Sequence, residues 1–219
     1  MASEKTAAAW EERSSARALE RERARTLKRS RRLVDAAVEI LRRDGLEGVT
    51  VQAVVERAGL SLRAFYERFA GKDELLLAVF EETIRDAAAT FRERLADVKE
   101  PLARVEFVVK SMFLSSHAKD VLGQSVPLSR EHLRLAEARP EELRLAIEPF
   151  VALLTEQVEA GIAAGVVRPG DARRLAVLIH HLVSGQIHGM LLGTVAEDDL
   201  ERSGDELWQF CLRAIRADA

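Results

Sequence analysis

Between Thr50 and Gly71 the rhythm of the chain leaves little freedom. Val51, Val54, Val55 and Ala58 follow at i, i+3, i+4 and i+7, the spacing of one buried helix face. Thr50 stands in front of them as an N-cap. Gly59-Leu60-Ser61 then breaks the pattern: Gly59 closes the helix, Leu60 fills the turn and Ser61 caps the next one. The next helix is predicted over residues 62–69, with Phe65 and Phe69 one turn apart and Gly71 ending it. Two short helices joined by a three-residue turn containing glycine are the parts of a helix-turn-helix.

Helical periodicity also governs the remainder. A helix over 31–43 carries Leu33, Ala37, Ile40 and Leu41 and stops at Asp44-Gly45. A long one over 73–98 carries Leu76, Val79, Phe80, Ile84, Ala87 and Phe91. Pro101 starts another, a looser region spans 117–127, and a shorter helix ends near Ala138. Pro140 opens the next helix, Pro149 kinks or restarts it, and it closes at Gly161 or Gly165. Asp171 caps a long apolar helix, and a last one holds Leu207, Phe210, Cys211, Ala214 and Ile215. Two-residue alternation never persists, so the expected fold is all-α. The expected division is a flexible basic N-terminal arm (1–27), a helix-turn-helix DNA-binding domain (28–72) and a helical ligand-binding and dimerisation domain (73–219).

Charge separates the same parts. Residues 1–72 carry 16 Lys/Arg against 11 Asp/Glu, whereas the remainder carries 17 against 25. A basic first third on an acidic body suits a polyanionic partner for the first third alone, although a solvated Arg/Glu surface has the same composition. Residues 16–32 hold eight Lys/Arg and two Glu, which reads either as a basic arm on phosphates or as a solvated helical lead-in. Cys211 is the single cysteine, which excludes a disulfide framework and suits a reducing cytosol. No apolar leader segment is visible, and the run "LAVLIHHLVSG" is too short to span a bilayer. The expectation is a cytoplasmic protein with no membrane contact.

In a helix-turn-helix the second helix enters the major groove and the first braces it. Burying Phe65 and Phe69 leaves Arg63, Ala64, Glu67 and Arg68 outward, with Leu62 at the helix entrance. Arginine reads guanine with two hydrogen bonds, and Ala or Leu touches a thymine methyl. Tyr66, Thr50 and Lys72 suit phosphates, which position without specifying. Glu67 either accepts from a cytosine amino group or pairs with Arg63 four residues earlier, and the pairing is preferred. By spacing alone, an ordinary helical hairpin with a charged face is an equal alternative.

Residues 31–75, RRLVDAAVEILRRDGLEGVTVQAVVERAGLSLRAFYERFAGKDEL, strongly resemble the N-terminal domain of the tetracycline-repressor (TetR) family. The resemblance rests on Ala36-Ala37, Gly45, Gly48-Val49-Thr50, Ala58-Gly59-Leu60-Ser61, Phe65-Tyr66, Phe69, Lys72 and Glu74. It covers about a fifth of the chain; beyond it only the outline of an apolar helical body agrees. The resemblance implies phosphate binding by Thr50, Tyr66 and Lys72, and places Gln52, Leu62, Arg63, Ala64 and Arg68 at bases or nearby backbone; the helix N-termini near Thr50 and Ser61 add backbone donors for phosphate. Three positions depart from the family pattern. Leu62 replaces a frequent basic or small polar residue, Glu67 a frequent aromatic or basic one, and Arg68 a common His. The operator sequence therefore does not carry over.

For the body, the resemblance implies a helical ligand-binding and dimerisation domain. Phe107, Met112, Phe113, Phe150, Leu153 and Leu154 are candidates to line an adaptable apolar pocket, and each is also an ordinary core residue. The stretch 175–192 is apolar nearly all round and must be buried on more than one side. Gly185 and Gly189 permit close helix approach, and with Leu207, Trp208, Phe210 and Cys211 they suggest a homodimer interface. His117 and His181 are further ligand candidates. For His180, His181 and His188 three readings stay open: core or interface histidines, ligand contacts, or a metal site needing help from another helix. His181 and His188 are about 10 Å apart along a helix, too far to share an ion unaided.

No nucleotide loop, metalloprotease motif or nucleophile elbow occurs, so no enzyme is expected, and no cofactor or metal. The expected function is a dimeric, ligand-responsive repressor of a pseudo-palindromic double-stranded DNA operator, released by a small apolar effector. A DNA-binding adaptor dimer without effector and a metal-responsive regulator are the alternatives.

Overall fold

The structure, a computed structural model, describes residues 9–115, 125–191 and 199–217. Its helices are α1 Ala9–Gly48, α2 Val51–Ala58, α3 Leu62–Tyr66, α4 Lys72–Arg94, α5 Pro101–Ser115, α6 Ser125–Ala138, α7 Pro140–Ala146, α8 Glu148–Ala163, α9 Ala172–Leu191 and α10 Leu200–Ile215. A short 3-10 turn, Leu95–Asp97, finishes α4. Extended pairing among the described residues is limited to one isolated bridge, Val167 with Arg216. The all-α expectation stands. No described helix is long and apolar enough to cross a membrane.

The head is a small three-helix unit. Leu33, Ala37, Ile40 and Leu41 of α1 bury against Val54 and Val55 of α2, and Phe65 and Phe69 fill the space under α3. The same core takes Leu75, Leu76 and Val79 from the first two turns of α4. The packing unit therefore runs past the boundary expected at residue 72. Farther along, α4 gives Phe91 to a second core shared with Val105, Val108, Met112 and Phe113 of α5 and Leu153, Leu154 and Val158 of α8. Ile179 and Val183 of α9 and Leu207, Trp208 and Cys211 of α10 complete it. A small third cluster, Leu77, Leu135, Leu143 and Ala146, joins α4 to α6 and α7. Thus α4 belongs to head and body at once.

Several boundaries differ from expectation. From Ala9 on, the segment expected as a flexible arm is helical and continues into α1. Gly45 has φ 72° and ψ −174°, so the backbone leaves helical geometry there as Asp44-Gly45 suggested, although the helical turns run on to Gly48. The helix expected over 62–69 ends at Tyr66. Beyond it the Arg68 amide bonds the Phe65 carbonyl three residues back at 2.9 Å, a tightening typical of a helix end. Gly71 does not terminate α3; it precedes the first residue of α4. His117 and most of the looser region 117–127 lie outside the described residues.

Candidate nucleic-acid interface

The α2–turn–α3 unit is built from local signals. Thr50 Oγ1 accepts from the Ala53 amide and Ser61 Oγ from the Ala64 amide, both at 3.1 Å. Gly59 sits at φ 61°, ψ 42°, the left-handed region, and its amide and that of Leu60 cap carbonyls of α2. Phe65 is fully buried, with Tyr66 edge-on at 5.2 Å between ring centroids and Phe69 at 5.6 Å. These contacts fix the roll of α3, so its outward side is a rigid face.

That face presents Leu62, Arg63, Tyr66 and Glu67, with Ala64 at its margin. Thr50 and Ser61 are exposed beside it, and Lys72 is half-buried at the start of α4. Gln52 is spoken for in this state, its Nε2 donating to Glu56 Oε1 at 2.6 Å. Arg63 Nε donates to Glu67 Oε1 at 3.1 Å, which is the preferred pairing. The Arg63 bond holds the Glu67 carboxyl below its ordinary range.

Arg68 is a correction. Expected outward, its side chain is only 6% exposed. Because α3 stops two residues earlier, Arg68 folds back and Nη1 donates to the Ala64 carbonyl at the helix end. Its Nε is buried without a partner. It braces the end of α3 and does not lie on its outward face.

The body also rearranges the expected list. Phe107, Met112, Phe113, Phe150 and Leu154 do come together in one cluster, where Phe91 stacks on Phe150 at 5.8 Å and meets Phe107 edge-on at 6.1 Å. His181 is exposed, whereas its neighbour His180 is only 6% exposed. His180 Nδ1 is buried without a partner. His188 reaches across to His132 of α6, its Nε2 lying 3.3 Å from His132 Nδ1, and the His132 ring packs on Phe80 of α4 at 5.4 Å. Burial, with His188 adding to it, pushes His132 down to about 4, and burial with the neighbouring His181 and His132 does the same to His180. Nothing in the sequence singled out His132, whose partner lies 56 residues away. Among the described residues no group of three or more His, Cys, Asp or Glu could hold a metal ion.

Of the expected interface residues, Leu207, Trp208 and Cys211 face inward and are buried within the single chain. Burial also raises the Cys211 thiol to about 11. Gly189 is buried too, and Gly185 is exposed with open space above it. Exposed apolar side chains on these two helices are instead Leu178 (52% exposed) and Leu182 on α9 and Phe210 (61%) on α10.

A helix-turn-helix held on a three-helix head and followed by a separate helical body defines a class of DNA-binding proteins. Residues 33–79 match the family described as bacterial regulatory proteins, tetR family. It is 36% identical over 83 residues to the HTH-type transcriptional regulator BetI of Paraburkholderia phymatum, covering 37% of this chain and 42% of that protein. The chain thus spans less than half the length of that relative. A fatty acid metabolism regulator protein of Bacillus subtilis is 27% identical over 148 residues, 66% of this chain and 74% of the relative. The fold of RolR, solved with resorcinol, superposes with a TM-score of 0.67 at 16% identity, covering 90% of this chain and 91% of that one.

Proposed function

We propose that the chain is a transcriptional regulator that reads a pseudo-palindromic operator as a homodimer and answers to a small organic effector. The observation that carries this reading is the rigid outward face of α3. Arg63 is suited to guanine, Leu62 to a thymine methyl, and Thr50, Ser61, Tyr66 and Lys72 ring it for phosphates. Two such heads need a two-fold partner. Leu178, Leu182 and Gly185, at i, i+4 and i+7 on α9, with Phe210 of α10, form the apolar face that a second copy would cover.

The effector acts through α4, since its two ends serve different cores. Asp73 in the first turn is gripped by Arg134 of α6, Nη1 and Nη2 donating to the two carboxylate oxygens at 2.9 and 2.7 Å. This bond holds the Asp73 carboxyl below its ordinary range. An exposed pair of this kind contributes only about 0–1 kcal/mol to stability. Its role is geometric: α6 also carries His132, so a ligand beside the histidines or the Phe91–Phe150 stack shifts α4 and with it both heads. The effector releases DNA by binding the non-DNA arrangement better, and DNA weakens the effector by the same factor. Repression is the family's commoner output and the one proposed.

The test is selection of duplexes from a random library by the full chain, followed by footprinting. Two half-sites about one helical turn apart support the reading. Equal affinity for selected and unselected duplexes would refute it.

A further inference from the structure

The first six turns of α1 have no role in the head. Packing begins at Leu33, and every side chain described between Trp10 and Arg29 is exposed. A helix that stands clear of the core keeps its charges for something else. Residues 14–30 carry six Lys/Arg and two Glu. At about 100° per residue, Arg17, Arg21, Arg25, Lys28 and Arg32 fall within an arc of about 80°, and Glu20 and Glu22 lie roughly 60° outside its edges.

Two further observations give this stripe a direction and a partner. Arg32, its last member, donates through Nη2 to the Ala58 carbonyl at the end of α2, next to the turn that opens α3. The stripe therefore runs outward from the edge of the reading face. Several arginines farther along the chain are compensated: Arg85 pairs with Glu81, Arg92 with Glu156, Arg134 with Asp73 and Arg173 with Glu148. Arg17, Arg21, Arg25 and Lys28 have no ion-pair partner among the described residues. Their charge is left for an external anion.

We propose that this helical stripe is a second DNA contact, lying along the phosphates that flank the half-site under α3. The inference rests on the DNA-reading function above and adds to it a footprint and a source of affinity. From Arg17 to Lys28 the helix rises about 16 Å. At one phosphate charge per about 1.7 Å of duplex axis, that length faces roughly five base pairs. Such contacts carry no base information, so they raise affinity on every sequence alike.

The test compares the full chain with the variant Arg17→Gln, Arg21→Gln, Arg25→Gln and Lys28→Gln. Glutamine keeps the helix propensity of the originals, and none of the four packs in the core, so circular dichroism should be unchanged. The probe is a duplex selected from a random library by the full chain, kept within a longer frame. Four lost phosphate contacts per protomer should flatten the slope of log K against log salt by up to about 3.6 for each protomer. Hydroxyl-radical protection should withdraw by roughly five base pairs on each side, the span set by the helix rise, with base preference unchanged. An unchanged slope and footprint, with specific binding intact, would overturn the stripe and leave the reading head standing. No specific binding by the unmodified chain would overturn both. Loss of binding to anionic phospholipid vesicles without change on DNA would reassign the stripe to a membrane surface and overturn the proposal.

Discussion

Acid should loosen the junction of α6 and α9 before it affects the rest of the molecule, and His180 is the group that reports it. In the folded chain burial holds this imidazole at about 4, whereas an unfolded histidine titrates near 6.5. Between those values the unfolded chain takes up a proton that the folded chain refuses. Stability contributed by the neutral, buried form is therefore complete above about pH 6.5 and is lost as pH falls toward 4. Carried through the linkage relation, one such group costs about 2 kcal/mol between pH 7 and pH 5. His132, held at about 4, acts in the same direction. The measurement is urea unfolding at pH 7 and pH 5, at one fixed protein concentration because a dimer's stability depends on it. His180→Gln removes the titration at similar size, so its loss between the two pH values should be smaller than that of the unmodified chain by about 2 kcal/mol. Equal losses in both proteins would refute the assignment of the acid sensitivity to this buried ring.

Gly59→Ala forces a side chain into the left-handed region and brings its Cβ to 3.2 Å from Arg32 Nη2. It should cost about 1–2 kcal/mol, read by thermal unfolding. Leu178→Glu places charge on the exposed apolar face of α9 and should leave the chain monomeric and folded in sedimentation analysis; an unchanged dimer would move the interface elsewhere. Arg63→Ala should cost about 1–3 kcal/mol on the selected duplex and little on random DNA, measured by fluorescence anisotropy. Equal losses on both would remove Arg63 from base reading.

What was legible in the sequence is local. Thr50, Ser61 and Gly59 announce their caps because each acts on a backbone group within four residues. Phe65 and Phe69 announce burial because four residues make one turn. Arg68 could not be read, since its direction depends on α3 stopping at Tyr66, and the two phenylalanines suggested a longer helix. The histidines failed for a different reason. Periodicity ranks the faces of one helix, but it does not say which other helix arrives there. His132 meeting His188 is fixed by the packing of α6 on α9. The same limit explains the interface residues. Leu207, Trp208 and Cys211 were apolar enough for a seam between copies, and α10 spends them on its own core.

The shared ownership of α4 bears on how such molecules can be recombined. A seam cut before Lys72 would strip Leu75, Leu76 and Val79 from the core beneath Phe65 and Phe69 and leave that head with an open base. A cut beyond Val79 carries a closed core across intact. But it severs Phe80 from the segment that travels, and the recipient body must then supply its own surface for the end of the rod. A transplanted head thus keeps its outward α3 face whole, while its coupling to a body has to be rebuilt at the graft.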